Sequence, residues 1–466
     1  MDTRYRLLAV PLLFLAWLGP AFPGSSPDSA ETVAFVGADV VPMDSERVLP
    51  DQTVLVQGDR ILKIGPESEV DTAGTTRIDA HGLYLMPGLA DMHVHLLEGA
   101  AYFPLFLANG VTTVRNMAGG PGFAKLRDEV ESGKVLGPRI YTAGPLVDGS
   151  PPVWPGSDVV KTPADAARVV AAQKQAGYDF LKAYDNLQPP EYEAVMAAAG
   201  RYGMRVAGHV SPNVGLERVL ADRQWSIEHL TGYFEWLQRP GSPFIHDRQA
   251  PQTFPHPAHL LAERQALTEW VDPARIPEIA AATAKAGVWN VPTLVAMRNM
   301  TPPEGRAAAW ERPGMSYATA MLKAWWNSDE GYSAKDWDDK RRGDALRLEL
   351  VKALHDAGAR LLVGTDSPHP FVMPGWAVHD ELADFVAAGL SPYEALRAAT
   401  ADAAEFMGTP GGFGVVAVGA RADLMLVQGN PLLDVDNAAH IAGVMVRGRW
   451  LPAGDLKSLL DHPAAH

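Results

Sequence analysis

The chain contains no cysteine among its 466 residues. This absence excludes a disulfide framework, a thiolate nucleophile, a zinc site built on cysteine and a lipoprotein anchor, since each of these needs a cysteine side chain. It does not restrict the redox compartment, because a protein without cysteine is compatible with reducing and oxidising surroundings alike.

Basic stretches are also missing from the sequence, which carries a formal net charge of −15. Proteins that bind nucleic acid or anionic lipid need a basic patch, so neither class of partner is expected. Hydrophobic residues make up 47% of the chain, which is ordinary for a globular protein with a sizeable core. The length suits one large domain accompanied by a smaller one.

Long apolar segments are confined to the N-terminus. Arg4 and Arg6 precede a mostly apolar run from Leu7 to Leu18, and the small residues of Gly19-Pro20-Ala21 follow it. This pattern predicts a signal peptide over residues 1–30, and therefore a periplasmic or secreted protein without a stable membrane anchor. The alternative is an anchor that stays attached, but the run is shorter than the ~20 residues of a spanning helix.

The rest of the sequence follows two patterns of secondary structure. Residues 31–86 and 410–455 contain short strands separated by tight turns, which predicts one small β-sandwich domain formed from both segments. Residues 87–409 alternate strands with helices, which predicts an α/β fold, a (β/α)₈ TIM barrel. Its eight predicted strands are Leu89–His93, Val111–Arg115, Arg139–Ala143, Phe180–Tyr184, Arg205–His209, Ser226–His229, Trp289–Leu294 and Arg360–Gly364.

Three helices of the predicted barrel have start signals in the sequence. Thr162-Pro163 opens one that Gly177 ends, and Pro189-Pro190 opens the next. Ser391 begins a capping box for a last helix, which we expect to continue until Gly408.

Ionisable residues gather at the predicted ends of the barrel strands. His93 and His95 are two residues apart, so on a strand they point to the same side and can share one metal ion. Four further residues of this kind are Lys182, His209, His229 and Asp366. Each alone has a structural explanation, but catalytic residues of such barrels lie at the carboxyl ends of strands, and buried strands seldom end in unpartnered ionisable groups. Together the six residues predict a metal site.

The segment Met-Pro-Gly-Leu-Ala-Asp-Met-His-Val-His-Leu (86–96) resembles the opening motif of the amidohydrolase superfamily. Gly-Ala-Arg-Ala-Asp-Leu (419–424) and Gly-Asn-Pro (429–431) are similar to the C-terminal β-domain of that family, so the resemblance covers nearly the whole chain after residue 30. It is strongest to prolidase-like members that hold two metal ions. The resemblance implies that the ligands are His93, His95, Lys182, His209, His229 and Asp366, and that a carboxylated Lys182 bridges the two metals.

This set of ligands suits two divalent metal ions, with Zn²⁺ as the first choice and Mn²⁺, Co²⁺ or Fe²⁺ as alternatives. A hydroxide bridging the metals would attack an amide carbonyl, while Asp366 takes its proton and delivers it to the leaving amine. The resemblance implies dipeptides, N-acyl amino acids or related amides as substrates. Without carboxylation of Lys182 only one metal would be held, with Asp366 alone as the base.

Two residues are candidates for contact with the substrate. Tyr184 follows Lys182 by two positions and would donate a hydrogen bond to the developing oxyanion, or would pack on the rim of the barrel. Arg115 ends the second strand and would hold a substrate carboxylate, or would pair with a nearby acidic side chain.

The loop after the sixth strand is rich in aromatic residues and histidine. Trp236, Phe244 and Phe254 lie in it or near it, and they indicate either an apolar substrate pocket or the internal packing of the loop. Three histidines of this loop are not expected to hold a third metal: His246, His256 and His259.

Two other functions stay open at this point. The same metal site would serve an esterase, a lactonase or a phosphotriesterase. A metal-bound hydroxide attacks the carbonyl carbon of an ester or a lactone and the phosphorus of a phosphotriester as well as an amide carbonyl. A non-catalytic binding protein is the alternative of another class, although such a protein is expected to have lost at least one ligand. The expected partner is a small-molecule substrate, and assembly into a homo-oligomer is left open.

Overall fold

The structure is a computed structural model, and it describes residues 32–244, 267–328 and 333–461. The predicted signal peptide lies outside these ranges, as do Phe254 and the three loop histidines at positions 246, 256 and 259. Within the described ranges, no helix combines the length and the apolar character needed to cross a membrane.

The strands of the described residues fall into a mixed sheet and two parallel sheets. In chain order they are β1 (Thr32–Val40), β2 (Leu49–Gln57), β3 (Arg60–Pro66), β4 (Thr76–Asp79), β5 (Leu83–Pro87), β6 (Leu89–Val94), β7 (Val111–Asn116), β8 (Arg139–Thr142), β9 (Val147–Asp148), β10 (Asp158–Val159), β11 (Leu181–Ala183), β12 (Val206–Gly208), β13 (Ser226–Glu228), β14 (Trp289–Val291), β15 (Arg360–Leu361), β16 (Leu424–Gln428), β17 (Ile441–Val446) and β18 (Arg449–Pro452).

The mixed sheet combines strands from both ends of the described chain. Its order is β18-β17-β16-β5-β1-β2-β3, with β4 paired to β1. The two ends meet where β16 runs antiparallel to β5, with Leu424 opposite Pro87 and Gln428 opposite Leu83. The apolar side chains of this sheet form a core of their own, which includes Phe35 and Leu85. The division of the chain at residues 31–86, 87–409 and 410–455 stays a prediction.

The strands between these ends pair in parallel, and this confirms the predicted α/β class. One sheet has the order β6-β7-β8, and the other has the order β10-β9-β11-β12-β13-β14-β15. Isolated parallel bridges link the sheets, between Ala143 and Phe180 and between Val94 and Ser367. Every residue of β6 and β7 is buried, as expected for parallel strands covered on both faces.

Most of the helices connect the parallel strands, and the last one follows the mixed sheet. They are α1 (Phe103–Ala108), α2 (Phe123–Glu131), α3 (Pro163–Gln175), α4 (Pro189–Tyr202), α5 (Leu216–Ala221), α6 (Tyr233–Trp236), α7 (Ile276–Ala286), α8 (Leu294–Asn299), α9 (Arg306–Trp310), α10 (Ala320–Trp326), α11 (Ala334–Asp356), α12 (Trp376–Ala387), α13 (Pro392–Ala398), α14 (Ala401–Phe406) and α15 (Ala453–Asp461).

The start signals predict the first turns of α3, α4 and α13 correctly. Thr162 and Asp165 form a capping box at the start of α3, and Ser391 and Glu394 form another at α13. The expectation of one helix from Ser391 to Gly408 is wrong, because the chain leaves the helical conformation at Thr400 (φ −138°, ψ −95°) and divides it into α13 and α14. The hydroxyl of Thr400 donates to the carbonyl of Leu396, a local bond that competes with a continuous helix.

Candidate metal centre

Three of the predicted ligands converge at the carboxyl ends of β6 and β15. One ligand atom each from His93, His95 and Asp366 lies within 4.8 Å of the other two. Oδ1 of Asp366 lies 2.9 Å from Nε2 of His95 and 3.3 Å from Nε2 of His93. The spacing of two residues between the histidines therefore has the predicted effect, since both imidazoles turn towards the same carboxylate.

His229 and His209 extend this cluster along the neighbouring strand ends. The ring centroid of His229 lies 4.5 Å from that of His93 and 4.9 Å from that of His209. Nδ1 of His229 lies 4.0 Å from Oδ2 of Asp366. The structure thus brings the four predicted histidines and the predicted aspartate into one group.

Lys182 lies in the middle of β11 with an exposed fraction of only 1%. Burial lowers the pKa of its amine to about 8, although the charges of Glu228 and Asp366 act in the opposite direction. A larger fraction of the amine is therefore uncharged near neutral pH than in an ordinary lysine. Lys182 pairs with Ala207 on β12, two residues before His209, which places it on the strand next to that ligand. The carboxylation of Lys182 stays a prediction.

Three of the four histidines are held by a polar group at Nδ1. The distances are 2.7 Å from His93 to Glu228 Oε2, 2.8 Å from His209 to Asp185 Oδ2, and 2.7 Å from His229 to Thr293 Oγ1. An imidazole that binds a metal through one nitrogen is commonly oriented by such a partner at the other. Each of these three rings therefore keeps Nε2 as the nitrogen that a metal would use.

The buried atom Nε2 of His93 has no hydrogen-bond partner among the described residues. A buried polar atom without a partner is costly, and the same nitrogen is directed towards the carboxylate of Asp366. Imidazole nitrogens and a carboxylate are also the donor types that Zn²⁺ and related divalent ions prefer. The residues present therefore fit a divalent metal.

Protonation in the cluster matches the needs of metal ligands, which must be neutral imidazoles and ionised carboxylates. Burial lowers the pKa of His95 and lowers that of His229 well below its ordinary value. Burial would raise the pKa of Asp366, but the neighbouring His229 and His95 outweigh it and hold that pKa well below its ordinary value.

The backbone turns sharply at three residues of the site. Asp366 and His229 have φ values of 59°, and Thr293 has a φ of 49°. Non-glycine residues rarely adopt this left-handed conformation, and such residues concentrate at functional sites. Buried Asp91 supports the turn at Asp366, because its carboxylate accepts hydrogen bonds from the backbone amide and the hydroxyl of Thr365 at 2.9 and 2.6 Å.

Arg115 does not reach the position that we expected for it. Its exposed fraction is 0%, and its Nη2 donates to both carboxylate oxygens of Glu228 at 2.9 Å. The guanidinium also donates to Ser226 and to the carbonyl of Met92. The prediction that Arg115 binds a substrate carboxylate is wrong, because an enclosed guanidinium cannot meet a substrate, and pairing with an acidic side chain is the observed arrangement.

Tyr184 lies beside the cluster, as its position after Lys182 predicts. Its ring is tilted by 31° against that of His209, with 4.3 Å between the centroids. Its hydroxyl oxygen accepts a hydrogen bond of 2.8 Å from the indole Nε1 of Trp154. Contact between Tyr184 and a substrate stays a prediction.

The residues that orient the histidines are not among those predicted from the sequence. Glu228 precedes His229 and lies two residues after Ser226, so the alternation of β13 indicates that Glu228 shares a side with Ser226. Asp185 directly follows Tyr184. The prediction placed Thr293 inside a strand, whereas β14 ends at Val291 and Thr293 immediately precedes α8. Pro292 is the signal that could have placed this strand end, because proline seldom continues a buried strand.

Comparison with known proteins gives a family match for most of the chain. The profile of the amidohydrolase family matches residues 84–451. An adenine deaminase of Ruegeria sp. is 30% identical over 223 residues, which cover 42% of this chain and 36% of the relative. An adenine deaminase of Ruegeria pomeroyi is 27% identical over 186 residues, which cover 37% of this chain and 30% of that relative. The chain thus matches only about a third of the length of these curated relatives.

Solved structures match over much longer stretches. The bottromycin amidohydrolase AH has a TM-score of 0.71 and 26% identity, and the match covers 94% of this chain and 90% of that chain. A proposed prolidase from Bifidobacterium longum has a TM-score of 0.67 and 25% identity, and the match covers 93% of this chain and 99% of that chain. These similarities extend through both the mixed sheet and the parallel sheets.

Proposed function

The chain belongs to the amidohydrolase family, and from this premise we propose that it is a metal-dependent hydrolase that cleaves the amide bond of a dipeptide, an N-acyl amino acid or a related small molecule. The observation that carries the proposal is the cluster of four histidines around Asp366, three of them with Nδ1 occupied by Glu228, Asp185 or Thr293. Imidazoles whose orientation is fixed by a hydrogen bond at one nitrogen are what a metal-dependent hydrolase requires.

We infer that the parallel strands close into a (β/α)₈ barrel. The candidate barrel strands are β6, β7, β8 and β11 to β15, which follow one another in chain order in the two sheets. The bridges from Ala143 to Phe180 and from Val94 to Ser367 support closure, since they connect the sheets at both ends. In such a barrel the carboxyl ends of the strands carry the active site.

The residues that would hold two divalent ions are His93, His95, Lys182, His209, His229 and Asp366, with Zn²⁺ as the first choice and Lys182 as a carbamate. A divalent pair of this kind polarises a carbonyl and lowers the pKa of a water molecule, so that the water attacks near neutral pH. Asp366 would accept the proton of the attacking water and deliver it to the leaving nitrogen. Asp366 is ionised in the folded protein, which is the state that a proton acceptor needs at the start of the reaction.

Tyr184 would stabilise the negative charge that develops on the carbonyl oxygen. Its ring contacts His209, and the indole of Trp154 fixes the position of its hydroxyl oxygen. A hydroxyl held in place beside the reacting carbonyl can donate a hydrogen bond to the oxyanion without reorganising.

The experiment that tests this proposal combines metal analysis with parallel assays. Metal content per chain is measured on the purified protein, and a crystal structure is examined for extra density on the amine of Lys182. We expect two metals and a carboxylated lysine. Matched amide, ester and phosphotriester substrates are assayed together with adenine, and we expect the amide to be preferred. A faster ester or phosphotriester reaction, or release of ammonia from adenine, would contradict amide hydrolysis while retaining the metal centre. A native protein without metal or hydrolase activity would contradict the whole proposal.

We also propose that the protein acts outside the cytoplasm. The support is the sequence pattern of residues 1–30, in which arginines precede an apolar run and small residues follow it. N-terminal sequencing of the protein recovered from its source should find a mature chain that begins between residues 20 and 31. A full-length chain retained in the cytoplasm would contradict this.

A further inference from the structure

Trp154 is unusual among the large apolar side chains because 38% of it is exposed although a hydrogen bond fixes its ring. The indole nitrogen donates to Tyr184, so the polar atom of the side chain is already satisfied. The exposed part of the ring is therefore its apolar surface. An exposed aromatic face with its polar edge occupied is a typical contact for an apolar ligand.

The loop that carries Trp154 is held firmly by buried polar groups. The carboxylate of Asp148 accepts hydrogen bonds of 2.8 Å from the backbone amides of Gly149, Val153 and Asn186. The side chain of Asn186 donates to the carbonyl of Pro151 at 2.7 Å. This loop thus presents Trp154 in a fixed position, which reduces the entropy lost when a ligand binds to it.

The position of Trp154 relates it directly to the candidate metal centre. Its loop follows β9, which pairs in parallel with β11, so the loop lies at the same edge of the sheet as the end of β11. Tyr184 links Trp154 to the candidate metal centre, because its hydroxyl accepts the hydrogen bond from the indole and its ring centroid lies 4.3 Å from that of His209. A substrate that reacts at the metal centre would therefore extend a neighbouring group over the face of Trp154.

We propose that Trp154 determines substrate specificity by binding an apolar, preferably aromatic, group next to the bond that is cleaved. This inference rests on the proposed amide hydrolysis and narrows its substrates to amides with such a group on one side of the scissile bond. Arg115 is enclosed and paired with Glu228, so it does not take part in this recognition.

The test uses three compounds that differ by a phenyl ring: N-acetylglycine, N-benzoylglycine and N-acetylphenylalanine. For the wild-type protein we expect kcat/KM for one of the phenyl-bearing compounds to exceed that for N-acetylglycine about tenfold or more. Trp154→Ala should reduce the ratio of kcat/KM between the preferred phenyl-bearing compound and N-acetylglycine to about one. The ratio is the readout, because loss of the bond from the indole to Tyr184 should lower the rates of all three compounds by the same factor. Trp154→Phe should retain most of the preference, because the aromatic face remains.

Tyr202→Ala is the matched control, since Tyr202 is 41% exposed but ends α4, at the opposite end of its strand–helix unit from the candidate metal centre. This variant should keep the preference of the wild type. Binding of the products is measured by calorimetry in parallel, comparing benzoate with acetate and phenylalanine with glycine. Trp154→Ala should weaken the binding of the aromatic product about tenfold.

The outcomes separate this inference from the proposed function. If Trp154→Ala lowers kcat/KM equally for the three amides, the inference is wrong although the amide function stands. If the wild type hydrolyses none of them, amide hydrolysis of this class fails, and product binding alone decides the role of Trp154. An aromatic preference in binding that Trp154→Ala removes would then support the inference, and equal binding of aromatic and small products would overturn it.

Discussion

The carboxylate of Glu228 accepts a hydrogen bond from Nδ1 of His93 at 2.7 Å, in a part of the protein where both side chains are fully enclosed. Burial would raise the pKa of Glu228, but Arg115 and His93 outweigh it and keep that pKa below its ordinary value. An ionised carboxylate can only accept, so the proton of His93 lies on Nδ1 and Nε2 is left as a lone pair towards Asp366. The buried ion pair thus sets the tautomer of a candidate metal ligand.

Arg115→Met should destabilise the protein strongly, because it leaves the charge of Glu228 buried without its partner. We expect the free energy of unfolding to fall by about 3–5 kcal/mol. Denaturant titration followed by circular dichroism measures this loss. Arg218→Met is the control, because the pair of Arg218 and Glu193 is largely exposed, and its loss should change the free energy of unfolding only slightly. Equal stability of both variants would refute the structural role assigned to Arg115.

Thr293→Val should weaken metal binding without unfolding the protein. Valine matches the shape of threonine but cannot accept the hydrogen bond from Nδ1 of His229, so that ring loses its orienting partner. We expect the metal affinity to fall about 10- to 100-fold, as measured by competition with a chelating dye. Thr301→Val is the control, because the hydroxyl of Thr301 donates only to the carbonyl of Asn299 among its described contacts. Unchanged affinity in Thr293→Val would remove Thr293 from the site.

Asp366→Asn should abolish most of the hydrolytic activity while the fold is retained. The amide cannot accept the proton of the attacking water, and general acid and base catalysis contributes about 10²- to 10⁴-fold to such reactions. We expect a loss of kcat/KM of at least about 100-fold on the amide that the wild type cleaves fastest. Asp455→Asn, on the exposed side of α15, should keep the activity of the wild type. Activity of Asp366→Asn close to that of the wild type would exclude Asp366 as the base.

Asp148 makes the stability of the protein dependent on pH. Burial raises its pKa from 3.8 to about 6, partly offset by the backbone amides of Val153, Asn186 and Gly149. The folded state therefore binds the proton more tightly than the unfolded state, and this contribution to stability is present below about pH 4 and is lost as the pH rises to about 6.

Comparison with Asp148→Asn isolates this effect, because the variant has no titrating group at position 148. The free energy of unfolding of the wild type, minus that of the variant, should decrease by about 2–3 kcal/mol between pH 4 and pH 6.5. Urea titrations at four or five pH values provide the measurement. A difference that is constant over this range, or that increases with pH, would contradict the raised pKa of Asp148.

Sequence patterns were sufficient to locate the strands that carry the site. Buried parallel strands form nearly continuous apolar segments, so an ionisable residue at the end of one is conspicuous. Each of the eight predicted strands in the middle of the chain overlaps an observed one, although the predicted Trp289–Leu294 extends into the turn at Thr293. The ends were less accurate because the extended segments finish at left-handed residues other than glycine, which are His229, Thr293 and Asp366. Pro292, directly after Val291, is the one sequence signal that does mark where β14 ends.

The partners of the site residues were harder to predict, because they depend on contacts between distant segments. The hydrogen bond from His93 to Glu228 joins residues 135 positions apart, so no local sequence pattern indicates it. The two-residue strands β9 and β10 were missed for another reason, since so short a segment has no alternation to detect. The role expected for Arg115 failed because its position on β7 did not indicate which acidic side chain lies across the strands.

The antiparallel pairing of β5 with β16 also has a consequence for the order of events during synthesis. The ribosome releases β1 to β5 first, but their sheet has an open edge at β5 until β16 to β18 emerge. Contacts between such distant segments form slowly, and an unpaired edge is a site of misassembly in the meantime. Nascent chains that stop before residue 424 should therefore depend on chaperones more than the finished protein does.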